Sequence, residues 1–160
     1  MKVKEVLKVK GSTLYTATPA TQLSEAVVNM ADQDIGSLVV LEGGKLVGML
    51  TFREVIEVLA NRQRENRAGP TPTFSKITVG QAMHADPLTA GLDMEVDELR
   101  RVMLESHTRY VPVMDGSTML GVISFHDVAR AVLEERSLEN KMLKAYIRDW
   151  PEEEGAGPQK

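Results

Sequence analysis

The sequence predicts an α/β protein: two strand–helix–strand–strand–helix units packed as one pseudo-symmetric module, plus a C-terminal helix. Three observations predict it. The chain aligns with itself at one offset, helical and strand periodicity alternate within each copy, and a hairpin turn falls at the same place in both.

The repeat appears when Gly48 is set on Gly121, an offset of 73 residues. Without a gap, Thr16 then meets Thr89, Glu25 meets Glu98, Met30 meets Met103, Val40 meets Val113, and Phe52 meets Phe125. Conservative pairs follow, with Thr51 on Ser124 and Glu54 on Asp127. Upstream, Val3 to Leu7 resembles Val79 to Met83, once three extra residues near Lys10 to Ser12 are allowed in the first copy. Duplication of this kind describes one structural unit used twice.

Each copy opens on a short apolar segment, Leu14 to Ala17 or Leu88 to Ala90. Next comes an amphipathic helix. Leu23, Ala26, Val27 and Met30 share one face, as do Val96, Leu99 and Met103, with Asp93 as a candidate N-cap for the second. A buried strand follows, Ser37 to Leu41 or Tyr110 to Met114. Glu42-Gly43-Gly44 and Asp115-Gly116-Ser117 are hairpin turns. The returning strand is Leu46 to Leu50 or Met119 to Ile123, and a second helix starts at Phe52 or Phe125, reaching about Gln63 or Glu135. A short sheet covered on one face needs a second layer to complete its burial, and the other copy supplies it. The resulting boundaries are 1–64 for the first unit, 65–75 for a Gly/Pro-containing connector and 76–136 for the second unit. A C-terminal helix over 137–150 and a disordered tail over 151–160 complete the chain.

Composition narrows the function. The 160 residues are 42% hydrophobic and 26% charged, as in an ordinary globular protein. There is no cysteine, which excludes disulfides, thiolate metal sites and cysteine nucleophiles. The net charge is −4 and no sustained basic stripe is present; Arg62, Arg64 and Arg67 are interrupted by Glu65, so nucleic acid is not an expected partner. No apolar run approaches the roughly 20 residues needed to span a bilayer, and lysines break up Met1 to Lys10. No membrane partner and a cytoplasmic location are therefore expected.

Chemistry concentrates in Gly48-Met49-Leu50-Thr51-Phe52-Arg53-Glu54 and Gly121-Val122-Ile123-Ser124-Phe125-His126-Asp127. Both lie where a strand turns into a helix, with hydroxyl and acid three residues apart on the first turn. Two readings stand. One is a capping box, in which hydroxyl and carboxylate tie off free helix N–H groups. The other is a phosphate and sugar site. A helix N-terminus attracts phosphate, the hydroxyl adds a contact, and the carboxylate accepts bonds from a ribose diol. A carboxylate facing phosphate is repulsive, so its role in that reading is the sugar.

Two such motifs in register within a repeat resemble the CBS-domain family, whose units pair into a Bateman module. The resemblance covers residues 3–135 and is closest to stand-alone bacterial two-CBS proteins. His107 to Val113 resembles the signature ahead of the second central strand, and Asp34 to Val40 its first-copy equivalent. The resemblance implies two clefts between the units and a regulatory adenine nucleotide, AMP first, with ADP, ATP, NAD and S-adenosylmethionine as alternatives. In each cleft Thr51 or Ser124 touches phosphate and Glu54 or Asp127 holds ribose. Gly36 and Ser37, or Arg109 and Tyr110, line the cleft before the central strand. Backbone at the start of the opposite unit holds adenine, placing Ile77 and Thr78 at the Thr51 cleft and Lys4 to Val6 at the Ser124 cleft. A homodimer joined through helices and an effector protein as the reader of the signal are further implications, with population shift as the mechanism.

The clefts are unequal. Arg109 offers a permanently charged fork beside Ser124 and Asp127. Glu54 departs from the family's usual Asp, and Gly36-Ser37 supplies no cation, although Arg53 can compensate from the helix. The Ser124 cleft is therefore expected to be the tighter one. The other cleft could hold the second half of a dinucleotide.

His84, His107 and His126 lack metal-ligand spacing; His126 is near enough to Ser124 to reach phosphate, or is simply a surface residue. Ser124, His126 and Asp127 crowd one turn, whereas hydrolase triads draw on separated segments. With no Walker-type loop, metal cluster or separated nucleophile and base, catalysis and metal binding are not expected. The nine methionines are mostly core packing. Tyr146 and Trp150 dock either on the chain's own sheet or on a partner subunit. The remaining rival is a nucleotide-free dimerisation scaffold whose motifs are only helix caps.

Overall fold

A computed structural model describes residues 1–11, 13–65 and 76–149. The order is α1 (Val3–Lys10), β1 (Thr16–Ala17), α2 (Leu23–Gln33), β2 (Ser37–Glu42), β3 (Lys45–Thr51) and α3 (Phe52–Glu65). Then come α4 (Val79–Ala82), β4 (His84–Ala85), β5 (Ala90–Gly91), α5 (Val96–Ser106), β6 (Tyr110–Asp115), β7 (Thr118–Ser124) and α6 (Phe125–Arg148). The connector beyond Glu65, the tail and Trp150 lie outside the described residues.

The duplication is exact in register. In one sheet β1 runs parallel to β2 and β2 antiparallel to β3; β5, β6 and β7 repeat this. Ser37 pairs with Thr51 and Tyr110 with Ser124, and the bulges at Val40/Leu41 and Val113/Met114 coincide. Each hairpin turns through glycine at positive φ: Gly43 and Gly44 in one, Gly116 in the other. Even the left-handed caps match, with Asp34 ending α2 at φ 52 and His107 ending α5 at φ 53.

The leading segments are exchanged. Val3 N–H donates to Met94 O (2.9 Å), Lys4 N–H to Leu92 O (3.0 Å), and Met1 O accepts from Val96 N–H (2.9 Å). The reciprocal bonds are Val79 N–H to Thr21 O (2.8 Å), Gly80 N–H to Pro19 O (3.0 Å), and Leu23 N–H to Ile77 O (2.8 Å). Val3 and Val6 consequently lie in the core of the second unit with Leu99, Met103, Val111 and Ile123. Val79 lies in the core of the first with Leu23, Met30, Leu38 and Leu50. The apolar faces read from the sequence supply both cores.

Two details differ from expectation. α6 is one continuous helix of 24 residues, so the separate C-terminal helix over 137–150 is its extension; Ser137 alone is too weak a helix breaker to divide it. The residue preceding α5 is Glu95, which makes no side-chain cap, while Asp93 pairs with Lys4 (3.3 Å) and Lys2 (3.9 Å).

Gly48 and Gly121 admit the exchanged segments. A Cβ at Gly48 meets Met83 Sδ at 2.6 Å and the His84 carbonyl at 2.9 Å; at Gly121 it meets Leu7 Cδ1 at 2.7 Å, with the next atom at 3.8 Å. A leucine tip yields more easily than a paired backbone. Gly48→Ala is therefore expected to cost about 1–3 kcal/mol and more than Gly121→Ala. Urea unfolding midpoints check the order, and an equal or reversed loss contradicts the packing described.

Candidate functional site

The second motif is built by the β7–α6 junction. Ser124 leaves the strand in an extended conformation and caps α6. Its Oγ accepts from Asp127 N–H (3.1 Å), and its own N–H donates to Asp127 Oδ2 (2.9 Å). This is a complete capping box. A third group joins it: Lys10 Nζ, at the end of α1, lies 2.6 Å from the same Oδ2. Asp127 Oδ1 makes no hydrogen bond among the described residues. The Asp127 side chain is 16% exposed, so the pair is not walled off.

The first motif distributes its bonds differently. Thr51 N–H (2.8 Å) and Thr51 Oγ1–H (2.7 Å) both donate to Glu54 Oε1, and Thr51 Oγ1 accepts from Arg53 N–H (3.2 Å). The extra methylene of Glu54 lets the carboxylate fold back onto the threonine hydroxyl. Glu54 is 6% exposed, the buried charged residue of the described core. The threonine hydroxyl hydrogen is spent on its own acid.

The lining residues fall as follows. Tyr110 reaches across the module so that a Cβ on Gly36 overlaps its hydroxyl and comes within 3.0 Å of the Phe52 ring. The two segments preceding the central strands thus meet, with Ser37 beside Thr51 and Tyr110 beside Ser124. Arg109 O accepts from Phe125 N–H (2.7 Å), fixing its backbone at the mouth of α6; its side chain is exposed and makes no ion pair among the described residues. Arg53 is exposed and pairs with Glu57 (3.4 Å), and His126 Nε2 lies 2.9 Å from Arg130 Nη2. Lys4 pairs with Asp93, and Val6 is a core residue. Ile77 O is bonded to Leu23 N–H, and Thr78 forms a capping box with Gln81. The groups expected to hold adenine are thus engaged in the exchange of segments.

Lys10 was not legible as a site residue, because it sits among the extra residues of the first copy and has no aligned basic partner. Open grooves also lie elsewhere: one of about 590 Å³ on α2 at Ser24, Glu25, Val28, Asn29 and Asp32. Another, of about 370 Å³, lies between α1 and β7 at Lys4, Leu7, Lys8, Gly11 and Leu120. Both are shallow, and neither touches the polar cluster at Ser124. Among the described residues, no three His, Asp or Glu side chains converge as a metal set, and no helix is long and apolar enough to cross a membrane.

A repeated unit of this topology, each copy with a hydroxyl–acid helix start, defines a tandem α/β repeat architecture. The CBS-domain family model matches residues 3–61 and 79–134, and the chain belongs to the CBS-domain family. It is 29% identical over 156 residues to the mitochondrial CBS domain-containing protein CBSX3 of Arabidopsis thaliana, covering 91% of this chain and 71% of that one. The crystal structure of the CBS-domain protein ATU1752 of Agrobacterium tumefaciens superposes with a TM-score of 0.71 at 26% identity, covering 82% of this chain and 98% of that one. The CBS domain pair of protein MJ0100, solved with 5'-methylthioadenosine and S-adenosyl-L-methionine, gives 0.68 at 25% identity, covering 82% and 99%.

Burial pushes the Asp127 carboxyl up, but the Lys10 ammonium and the N–H and hydroxyl of Ser124 outweigh it and hold the group below its ordinary value of 3.8. A lowered folded value means that stability from this cluster is complete above the ordinary value and is lost as pH falls through the folded one. The Asp127 carboxyl carbon is expected to titrate below 3.8 by nuclear magnetic resonance. Titration at or above that value contradicts the Lys10 contact in solution.

Proposed function

We propose that this protein is a cytoplasmic, non-enzymatic regulatory module that binds an adenine nucleotide, AMP first, in the Ser124–Asp127 cleft. The carrying observation is the hydrogen-bonding capacity there: at the N-terminus of a 24-residue helix, Asp127 Oδ1 and the side chain of the neighbouring Arg109 have no partner among the described residues. The hydroxyl, Arg109 and the helix terminus suit phosphate, and Oδ1 of Asp127 suits a ribose hydroxyl. Tyr110, His126, Lys4 and Val6 border this cleft in the same reading. The adenosyl ligands of MJ0100 support an adenosine moiety as the common element.

Thr51, Glu54, Arg53, Gly36, Ser37, Ile77 and Thr78 form the second, weaker cleft, which takes the other half of a dinucleotide such as NAD if one binds. ADP and ATP extend AMP by phosphates that would meet Arg109 and His126 in this reading. Exposed apolar residues on α3 (Phe52, Ile56, Leu59) and on α6 (Leu133, Leu138, Met142, Tyr146) support a homodimer through these helices, with an effector protein reading the ligand-dependent packing.

One observation favours the rival scaffold reading: the second motif forms a complete capping box from protein groups alone. Thermal unfolding with AMP separates the two. Ligand at 100 times its dissociation constant is expected to stabilise the protein by about 2.7 kcal/mol, and no shift with any adenine nucleotide favours the scaffold. By calorimetric titration, Asp127→Ala is expected to weaken AMP binding about tenfold or more, the size of one charge-assisted bond, and Glu54→Ala to weaken it less. The reverse order contradicts the ranking of the clefts.

A further inference from the structure

We propose that Lys10 is the residue that makes the Ser124 cleft selective for anionic adenine nucleotides over neutral or cationic adenosyl ligands. The inference rests on the nucleotide reading and adds to it which adenosine derivatives bind.

The physical problem lies within the motif. A carboxylate that holds ribose sits three residues from the hydroxyl that touches phosphate, so one ligand must approach a fixed negative charge with its own. Unrelieved, Asp127 repels the phosphate and attracts a cation such as a sulfonium. Lys10 removes this obstacle. Its ammonium lies 2.6 Å from Oδ2, on the oxygen already used by the Ser124 N–H, so it neutralises the carboxylate without occupying Oδ1. The ribose acceptor is kept and the charge cancelled. Two donors on one oxygen also hold the carboxylate in a single orientation.

The contact joins residues 117 positions apart and exists because the exchange places the end of α1 beside the start of α6. Lys10 is 36% exposed, so it is within reach of solvent and of an approaching anion. The first cleft has no equivalent. Lys10 falls among the extra residues of the first copy, which the second lacks, and Glu54 makes no ion pair among the described residues. A duplicated frame has thus acquired a cation at one acid only.

Calorimetric titration of AMP, adenosine and S-adenosylmethionine into the full chain, its Lys10→Met variant and its Lys10→Arg variant tests this. The wild-type protein is expected to bind AMP more tightly than the other two. Lys10→Met is expected to lose about tenfold to a hundredfold in AMP affinity, the range for a bond to a charged group, with adenosine changed less than about twofold on that scale. Lys10→Arg is expected to retain the preference. An unchanged AMP-to-adenosine ratio in Lys10→Met overturns the role of Lys10, as does wild-type protein that binds AMP and adenosine equally. Wild-type protein that binds none of the three overturns the nucleotide reading, and this inference with it. The Asp127 carboxyl resonance provides a readout without ligand: it titrates upward in Lys10→Met if the contact neutralises the acid, and a value unchanged from wild type overturns the proposal.

Discussion

The reciprocal exchange of leading segments is the constraint on which the rest of this structure depends. Neither sheet is closed by its own copy. Val3 and Val6 complete the second core and Val79 the first, through three matching backbone hydrogen bonds on each side. Gly121 and Gly48 leave room for Leu7 and Met83, so one side chain from each copy presses against the sheet of the other. Two units built this way cannot part without opening both cores. Their motifs are therefore held in fixed relation, and so is the end of α1, which reaches Asp127 only because its start is anchored at Leu92 and Met94.

On that symmetric frame the polar chemistry is asymmetric. One methylene decides much of it. Glu54 is long enough to take the Thr51 hydroxyl hydrogen as well as the backbone N–H on one oxygen, whereas one oxygen of Asp127 takes the Ser124 N–H and the Lys10 ammonium. The first acid is nearly buried and answers to its own helix start. The second is partly exposed, shares an oxygen with Lys10, and keeps the other free. A capping box and a ligand site are compatible here, since the cap uses one lone pair of Ser124 Oγ and one oxygen of Asp127. A ligand needs the groups that remain.

Much of the fold was legible because each signal had a single physical cause. The 73-residue offset matched the strands of the two copies, and the apolar spacing of Leu23, Ala26 and Met30 named the buried face of α2; the coinciding bulges and left-handed caps came only with the structure. Periodicity did not show the exchange: an apolar segment such as Val3 to Leu7 fits either sheet, and only the family resemblance pointed to the opposite unit. The continuity of α6 was missed, although nothing between Glu135 and Leu138 breaks a helix. Within the site, residue types were readable and bond allocation was not. Lys10 escaped because a repeat highlights what two copies share, and this lysine belongs to the residues they do not.

The central claim is that the Ser124–Asp127 start of α6 grips the sugar and phosphate of an adenine nucleotide beyond capping a helix. Mass spectrometry of the small molecules released on denaturing the purified protein tests it most directly. The account predicts a phosphorylated adenine compound from the wild-type chain and its depletion from a Ser124→Ala, Asp127→Ala double variant. An identical yield from both proteins, or no adenine compound from wild-type protein even after loading with AMP, contradicts it.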